Sequence, residues 1–69
     1  MNLDPNAIFA GLERDAKYAL NSHSRDLAYK TYGAASMARS LGAITHDQYM
    51  LLSDMLVVNG LNNPRSRLR

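Results

Sequence analysis

Three stretches of this chain repeat apolar residues at helical spacing, and two short polar or glycine-containing breaks separate them. In the first, Ile8, Phe9, Leu12, Ala16, Ala19 and Leu20 recur at intervals that place them on one helix face. Glu13, Arg14, Asp15 and Lys17 cover the other side, and Glu13 with Lys17 forms an i,i+4 pair worth about 0.3 kcal/mol. Asp4-Pro5 marks the start. An aspartate can accept from free N–H groups of a first turn, and proline suits the first helical position. Leu3 and Ile8 stand where a hydrophobic staple would close over that start.

The polar break Asn21-Ser22-His23-Ser24 follows, with Ser22 or Ser24 as the cap of a second helix and Asp26 favourable in its first turn. Leu27, Thr31, Ala34, Ala35, Ala38 and Leu41 are expected on its inner face. Most are small. The run Gly33-Ala34-Ala35-Ser36 would let another helix approach closely, although Gly33 costs about 1 kcal/mol against alanine in a helix interior.

Gly42 to Tyr49 spells out a stop and a new start. Gly42 can take the positive φ that ends a helix. Thr45 and Gln48 have capping-box spacing, with Ile44 and Tyr49 at the staple positions around it. A third helix is predicted from His46 to Asn59. Its residues Tyr49, Met50, Leu51, Leu52, Met55, Leu56, Val57 and Val58 occupy more than one face. A helix apolar on several sides wants burial on several sides, from a central position or from a second copy in a homodimer. Gly60 is the expected stop, with Leu61 returning to Leu56 as in a Schellman ending, and Asn62-Asn63-Pro64 is a turn. The pattern as a whole predicts an all-α fold: a small three-helix bundle, made of a helical hairpin plus an N-terminal helix. Residues 1–63 form the single domain and 64–69 a flexible basic tail.

Size makes packing exacting. A 69-residue chain buries only about 60% of the surface its unfolded form exposes. The chain has no cysteine, so neither a disulfide nor a thiolate zinc site can add stability. A reducing, cytoplasmic setting is expected. No basic region leads into an apolar run, so no secretory leader is expected. No stretch approaches the roughly 20 apolar residues of a membrane helix.

The net charge of +2 is unevenly placed. Arg14, Lys17, Arg25, Lys30 and Arg39 face Asp4, Glu13, Asp15, Asp26, Asp47 and Asp54, so residues 1–63 sum to −1. Arg65, Arg67 and Arg69 supply the excess. A nucleic-acid domain usually carries its basic face on the folded body, and this body is not basic.

Catalytic chemistry finds no constellation. His23 and His46 are the only histidines, and His46-Asp47 are sequence neighbours whose side chains leave a helix about 100° apart. Gly11, Gly33, Gly42 and Gly60 are scattered and make no phosphate loop. The expectation is a non-catalytic protein with no cofactor and no metal.

Ala38 and Gly42 match the small-residue and glycine spacing of a helix-turn-helix, and Met37, Leu41, Ala43 and Leu51 fall at its apolar positions. The template breaks at Gln48, where a buried residue is required. The second helix also carries Asp47 and Asp54 and no Arg or Lys, against the needs of a phosphate-facing element. The same hairpin resembles the SHOCT domains, short C-terminal helical modules, through Leu41-Gly42-Ala43-Ile44-Thr45 and Tyr49. The helices here lack the Glu and Lys abundance of that family. The resemblance covers about a third of the chain and implies oligomerisation or docking, without assigning any functional residue.

Arg25, Tyr29, Tyr32, Ser36 and Arg39 form one stripe along the second helix, beside its small-residue face. Tyrosines flanked by arginines have the composition of protein-binding hot spots. The competing assignment has Tyr29 and Tyr32 covering a helix seam with their hydroxyls in water. The reading that follows is a small protein-binding module acting by steric docking. Arg25, Tyr29, Tyr32, Ser36 and Arg39 would touch a partner protein, and Arg65, Arg67 and Arg69 would steer by charge. In size and type the chain resembles phage and mobile-element accessory proteins, including inhibitors such as anti-CRISPR proteins. The alternative is a nucleic-acid-binding transcriptional regulator using Ala38–Leu51 and the arginine tail.

Overall fold

A computed structural model describes residues 4–69, and these are all-helical: a small three-helix bundle. Helix α1 spans Pro5–Asn21, α2 spans Arg25–Ser40 and α3 spans His46–Ser53, running on without a break into a π-helical segment, Asp54–Leu61. The staple residue Leu3 lies outside the described residues. No helix among these is long and apolar enough to cross a membrane.

The starts follow local sequence chemistry. Asp4 Oδ1 accepts from the Asn6 N–H at 3.0 Å, with Pro5 in the first turn. Ser24 Oγ accepts from the Leu27 N–H at 3.2 Å and so is the cap of α2. Thr45 and Gln48 close a reciprocal box: Gln48 N–H donates to Thr45 Oγ1 at 3.1 Å, and Thr45 N–H to Gln48 Oε1 at 3.0 Å. Gln48, which broke the helix-turn-helix template, is thus committed to the cap, and its Nε2 also donates to Asn6 Oδ1 at 3.0 Å. The Ile44 and Tyr49 staple residues both join the core, with Ile44 buried.

The stops of α1 and α2 are Schellman turns, and one is unexpected. Gly42, at φ 73°, ends α2, with Gly42 N–H donating to Arg39 O and Ala43 N–H to Ala38 O. α1 ends the same way on His23, at φ 52°: His23 N–H donates to Leu20 O and Ser24 N–H to Ala19 O. A histidine therefore stands at the left-handed position that glycine fills most cheaply.

The core is built on small side chains. Ala16, Ala19, Ala28 and Ala35 are fully buried, and among the described residues the only large fully buried side chains are Leu52 and Leu56. Alanine faces let helices meet closely, and the third helix then lays its leucines over that seam. Leu52, Leu56 and Gly60 are buried at four-residue intervals along it.

Several sequence expectations change. On α2 the buried residues are Ala28, Thr31 and Ala35, while Ala34 and Leu41 are exposed. The inner face is turned toward Tyr32, which packs against the core, and Leu41 is the cap residue past the last turn. Gly60 is not the stop. It lies inside the π-helical segment without a positive φ, and the helix ends at Asn62. A Cβ on Gly60 would sit 3.2 Å from Leu20 Cδ2, 3.2 Å from the Met55 carbonyl and 3.5 Å from Leu68 Cδ1. Close approach, not turning, is what glycine supplies there. Apolar coverage of the third helix is incomplete, since Met50, Leu51 and Val58 remain exposed.

Residues 64–69, expected to be a flexible tail, are laid back along the body. Leu68 is 9% exposed and belongs to the core. Arg69 N–H donates to His23 O at 2.9 Å, Arg25 N–H donates to Arg69 O at 2.8 Å, and Ser66 Oγ donates to Gly60 O at 2.6 Å. One inward leucine among outward arginines supplies the apolar contact that the charge run alone hides.

His23→Gly removes the left-handed strain and should raise stability by about 0.5–1 kcal/mol, read as a higher urea midpoint with an unchanged slope. A lower midpoint would show that the His23 side chain stabilises the turn by more than its backbone strains it.

Candidate functional site

The five-residue stripe on α2 is divided by its neighbours. Arg25 is half-buried and points its guanidinium toward the C-terminal segment, donating to the carbonyls of Leu61 at 3.4 Å and Leu68 at 3.5 Å. Both bonds are long; the Leu61 carbonyl is one that the helix end leaves without an N–H partner, and the Leu68 carbonyl lies in the C-terminal segment. Tyr32 is half-buried against the core, and its hydroxyl lies 2.9 Å from that of Tyr49 on α3, either atom being able to donate. The two rings stand 6.3 Å apart between centroids and are tilted by 34°. Tyr29, 57% exposed, Ser36 and Arg39 remain at the surface.

The structure thus brings Tyr32 together with Tyr49, a residue that the sequence places at a staple position and on the apolar surface of the third helix, not in the stripe. The signal was present as a second tyrosine on the helix facing the stripe, but pairing across 17 positions cannot be read from periodicity. Tyr29 and Arg39 on α2 and Met50 on α3 are exposed, so both helices carry large side chains at the surface. Such surfaces bind by desolvating large, semi-rigid side chains. The Tyr32 hydroxyl raises the Tyr49 phenol above its ordinary value of 10.0, chiefly by hydrogen bonding and then by partial burial and by proximity to the Tyr32 phenol.

Arg65, Arg67 and Arg69 are exposed and lie in the folded-back segment. Arg65 N–H donates to Asn63 Oδ1 at 2.9 Å. Arg67 and Arg69, with Ser22 and His23, line a hollow of about 330 Å³. A second open hollow of about 270 Å³ lies between α1 and α2, lined by Asp15, Tyr18, Leu27, Lys30, Thr31 and Ala34. Among the described residues no grouping of three or more His, Asp or Glu side chains could hold a metal ion, and every buried side-chain polar atom has a hydrogen-bond partner. The third helix presents Asp47 and Asp54 to solvent and has no Arg or Lys, so its outward charge opposes a phosphate backbone.

Comparison with protein-family models, with curated proteins and with solved structures finds no match to this chain.

Tyr32→Phe should bring the Tyr49 titration back toward 10, followed by phenolate absorbance or ring resonances. A folded-state value raised above the unfolded one stabilises the fold below pH 10, and that stability is lost as pH rises through the Tyr49 value. The variant should therefore be less stable at neutral pH by about 0.5–1 kcal/mol, with a flatter decline above pH 10. An unchanged titration would contradict the hydroxyl pairing.

Proposed function

We propose that this chain is a small, non-catalytic protein-binding module that acts by steric docking on a partner protein. One observation carries the reading. Among the described residues only Leu52 and Leu56 are large and fully buried, whereas Tyr18, Tyr29, Met37, Leu41, Met50, Leu51 and Val58 are large, apolar and exposed. A bundle short of core that still turns this much apolar surface outward is built for contact with another macromolecule. Tyr29, Ser36 and Arg39 are the contact residues, with Tyr32 braced by Tyr49 and Arg25 bracing the C-terminal segment. Arg65, Arg67 and Arg69 bring cations to the same small body and speed encounter with an acidic partner.

The setting that fits this economy is cytoplasmic, as an accessory or inhibitor protein of a phage or mobile element, anti-CRISPR-like in type. Such a protein needs no cofactor and works by occupying a surface. Leu51 and Val58, seven residues apart on the third helix, are the natural place for a second copy of the chain in a homodimer. Regulation through nucleic acid by the Ala38–Leu51 hairpin is the weaker alternative, because Asp47 and Asp54 stand on its outer face.

Affinity capture on the immobilised chain, with and without nuclease, compares the native protein with Tyr29→Ala/Arg39→Ala. A stoichiometric protein partner that survives nuclease and binds the variant more weakly by about 2 kcal/mol, roughly 30-fold, is the expected result. Recovery of nucleic acid, with proteins lost on nuclease treatment, would replace docking by regulation. Circular dichroism of the variant should stay helical, since both positions are exposed.

A further inference from the structure

We infer that the hollow between the α1–α2 turn and the C-terminal segment is a binding site for a single phosphate group, made by His23, Ser22, Arg67 and Arg69. It lies apart from the α2–α3 docking surface and does not depend on it.

Four observations converge. The hollow of about 330 Å³ is lined by two arginines, a histidine and a serine, all of which can donate hydrogen bonds. The arginines are held in place by backbone: Arg69 N–H donates to His23 O, Arg25 N–H donates to Arg69 O, and buried Leu68 anchors the residue between them. With Leu68 inward, Arg67 and Arg69 both face the hollow. Neither arginine has a carboxylate within ion-pairing distance, the one ion pair among the described residues being Glu13–Lys17. Finally, His23 holds a left-handed backbone at φ 52° where glycine would be less strained. Strain of that kind is retained where the side chain has a use.

The donor set selects phosphate over carboxylate. A carboxylate offers two coplanar oxygens and is filled by one guanidinium fork, whereas a phosphate presents three oxygens in different directions and can be shared by two. Size points the same way. One compact hollow on a body that carries no net charge outside Arg67 and Arg69 suits a small phosphorylated ligand or free phosphate better than a strand of nucleic acid, which needs an extended basic track.

The test is an amide NMR titration of the full chain with potassium phosphate at constant ionic strength, repeated with adenosine monophosphate, adenosine and oligothymidylate. Saturable shifts at Ser22, His23, Arg67, Leu68 and Arg69, with a dissociation constant of about 1 mM or tighter, are expected for phosphate. Adenosine should shift nothing. Tighter binding of the monophosphate than of phosphate would make a phosphomonoester the source, and equal binding would make it free phosphate. Arg67→Gln/Arg69→Gln should weaken binding at least roughly tenfold. His23→Gly, whose fold is expected to be more stable, should also bind less tightly, so loss of binding is separated from loss of structure. Shifts that rise linearly to about 20 mM, equal binding by the glutamine variant, or saturation by oligothymidylate without binding of phosphate would each overturn the assignment.

Discussion

Close packing of alanines is the constraint on which this bundle depends. Ala16 and Ala19 on α1, with Ala28 and Ala35 on α2, are fully buried in one core cluster, so the first two helices bring methyl groups rather than large side chains to its most buried positions. Such a seam gains little from its own burial, because each alanine removes little apolar area from water. What it offers is proximity. With α1 and α2 close together, one further helix can bring Leu52 and Leu56 over both, and those two leucines supply the largest fully buried side chains in the fold. Full burial of a leucine is worth about 1.5–3 kcal/mol, a large share of the stability such a small domain can have.

The rest of the architecture is arranged around that seam. Gly60 lets the π-helical segment, the end of α1 and Leu68 converge without the Cβ that would crowd them. Leu68 extends the core at its open end, and Arg25 reaches the carbonyls of Leu61 and Leu68 from the start of α2. Large apolar side chains such as Tyr29, Met50 and Leu51 are turned outward. A core with few large side chains is thus accompanied by an apolar surface open to a partner. The folding back of the C-terminal segment likewise sets two arginines beside the α1–α2 turn.

How much of this was legible in the sequence depended on range. The caps at Asp4 and Thr45–Gln48 and the turn at Gly42 are made by residues within a few positions of one another, and their spacing names them, whereas for α2 the sequence offers Ser22 or Ser24 and the structure selects Ser24. The three-helix plan followed from those boundaries and from periodicity. What the chain hid is long-range. Gly60 has the same spelling whether it turns a helix or admits a neighbour, and only the approach of Leu20 and Leu68 decides. Leu68 among arginines looks like solvated chain until the groove that receives it exists. α2 has alanine at 28, 34, 35 and 38, so small shifts in phase leave its pattern nearly unchanged, and the contact of Tyr32 with Tyr49 selects the phase. Of the candidate site, the exposure of Tyr29, Ser36 and Arg39 agrees with the stripe, but the uses of Arg25 and Tyr32 inside the fold required the partner elements.

The urea midpoint of Ala28→Leu tests the alanine seam most directly. Leucine and alanine are both strong helix formers, so propensity is nearly constant and only the space between helices is probed. Because Ala28 is fully buried, the added side chain should force the bundle apart and cost about 2 kcal/mol or more. A midpoint equal to or above that of the native chain would mean that the larger side chain is accommodated with net burial, and that close approach at this seam is not what holds the fold together.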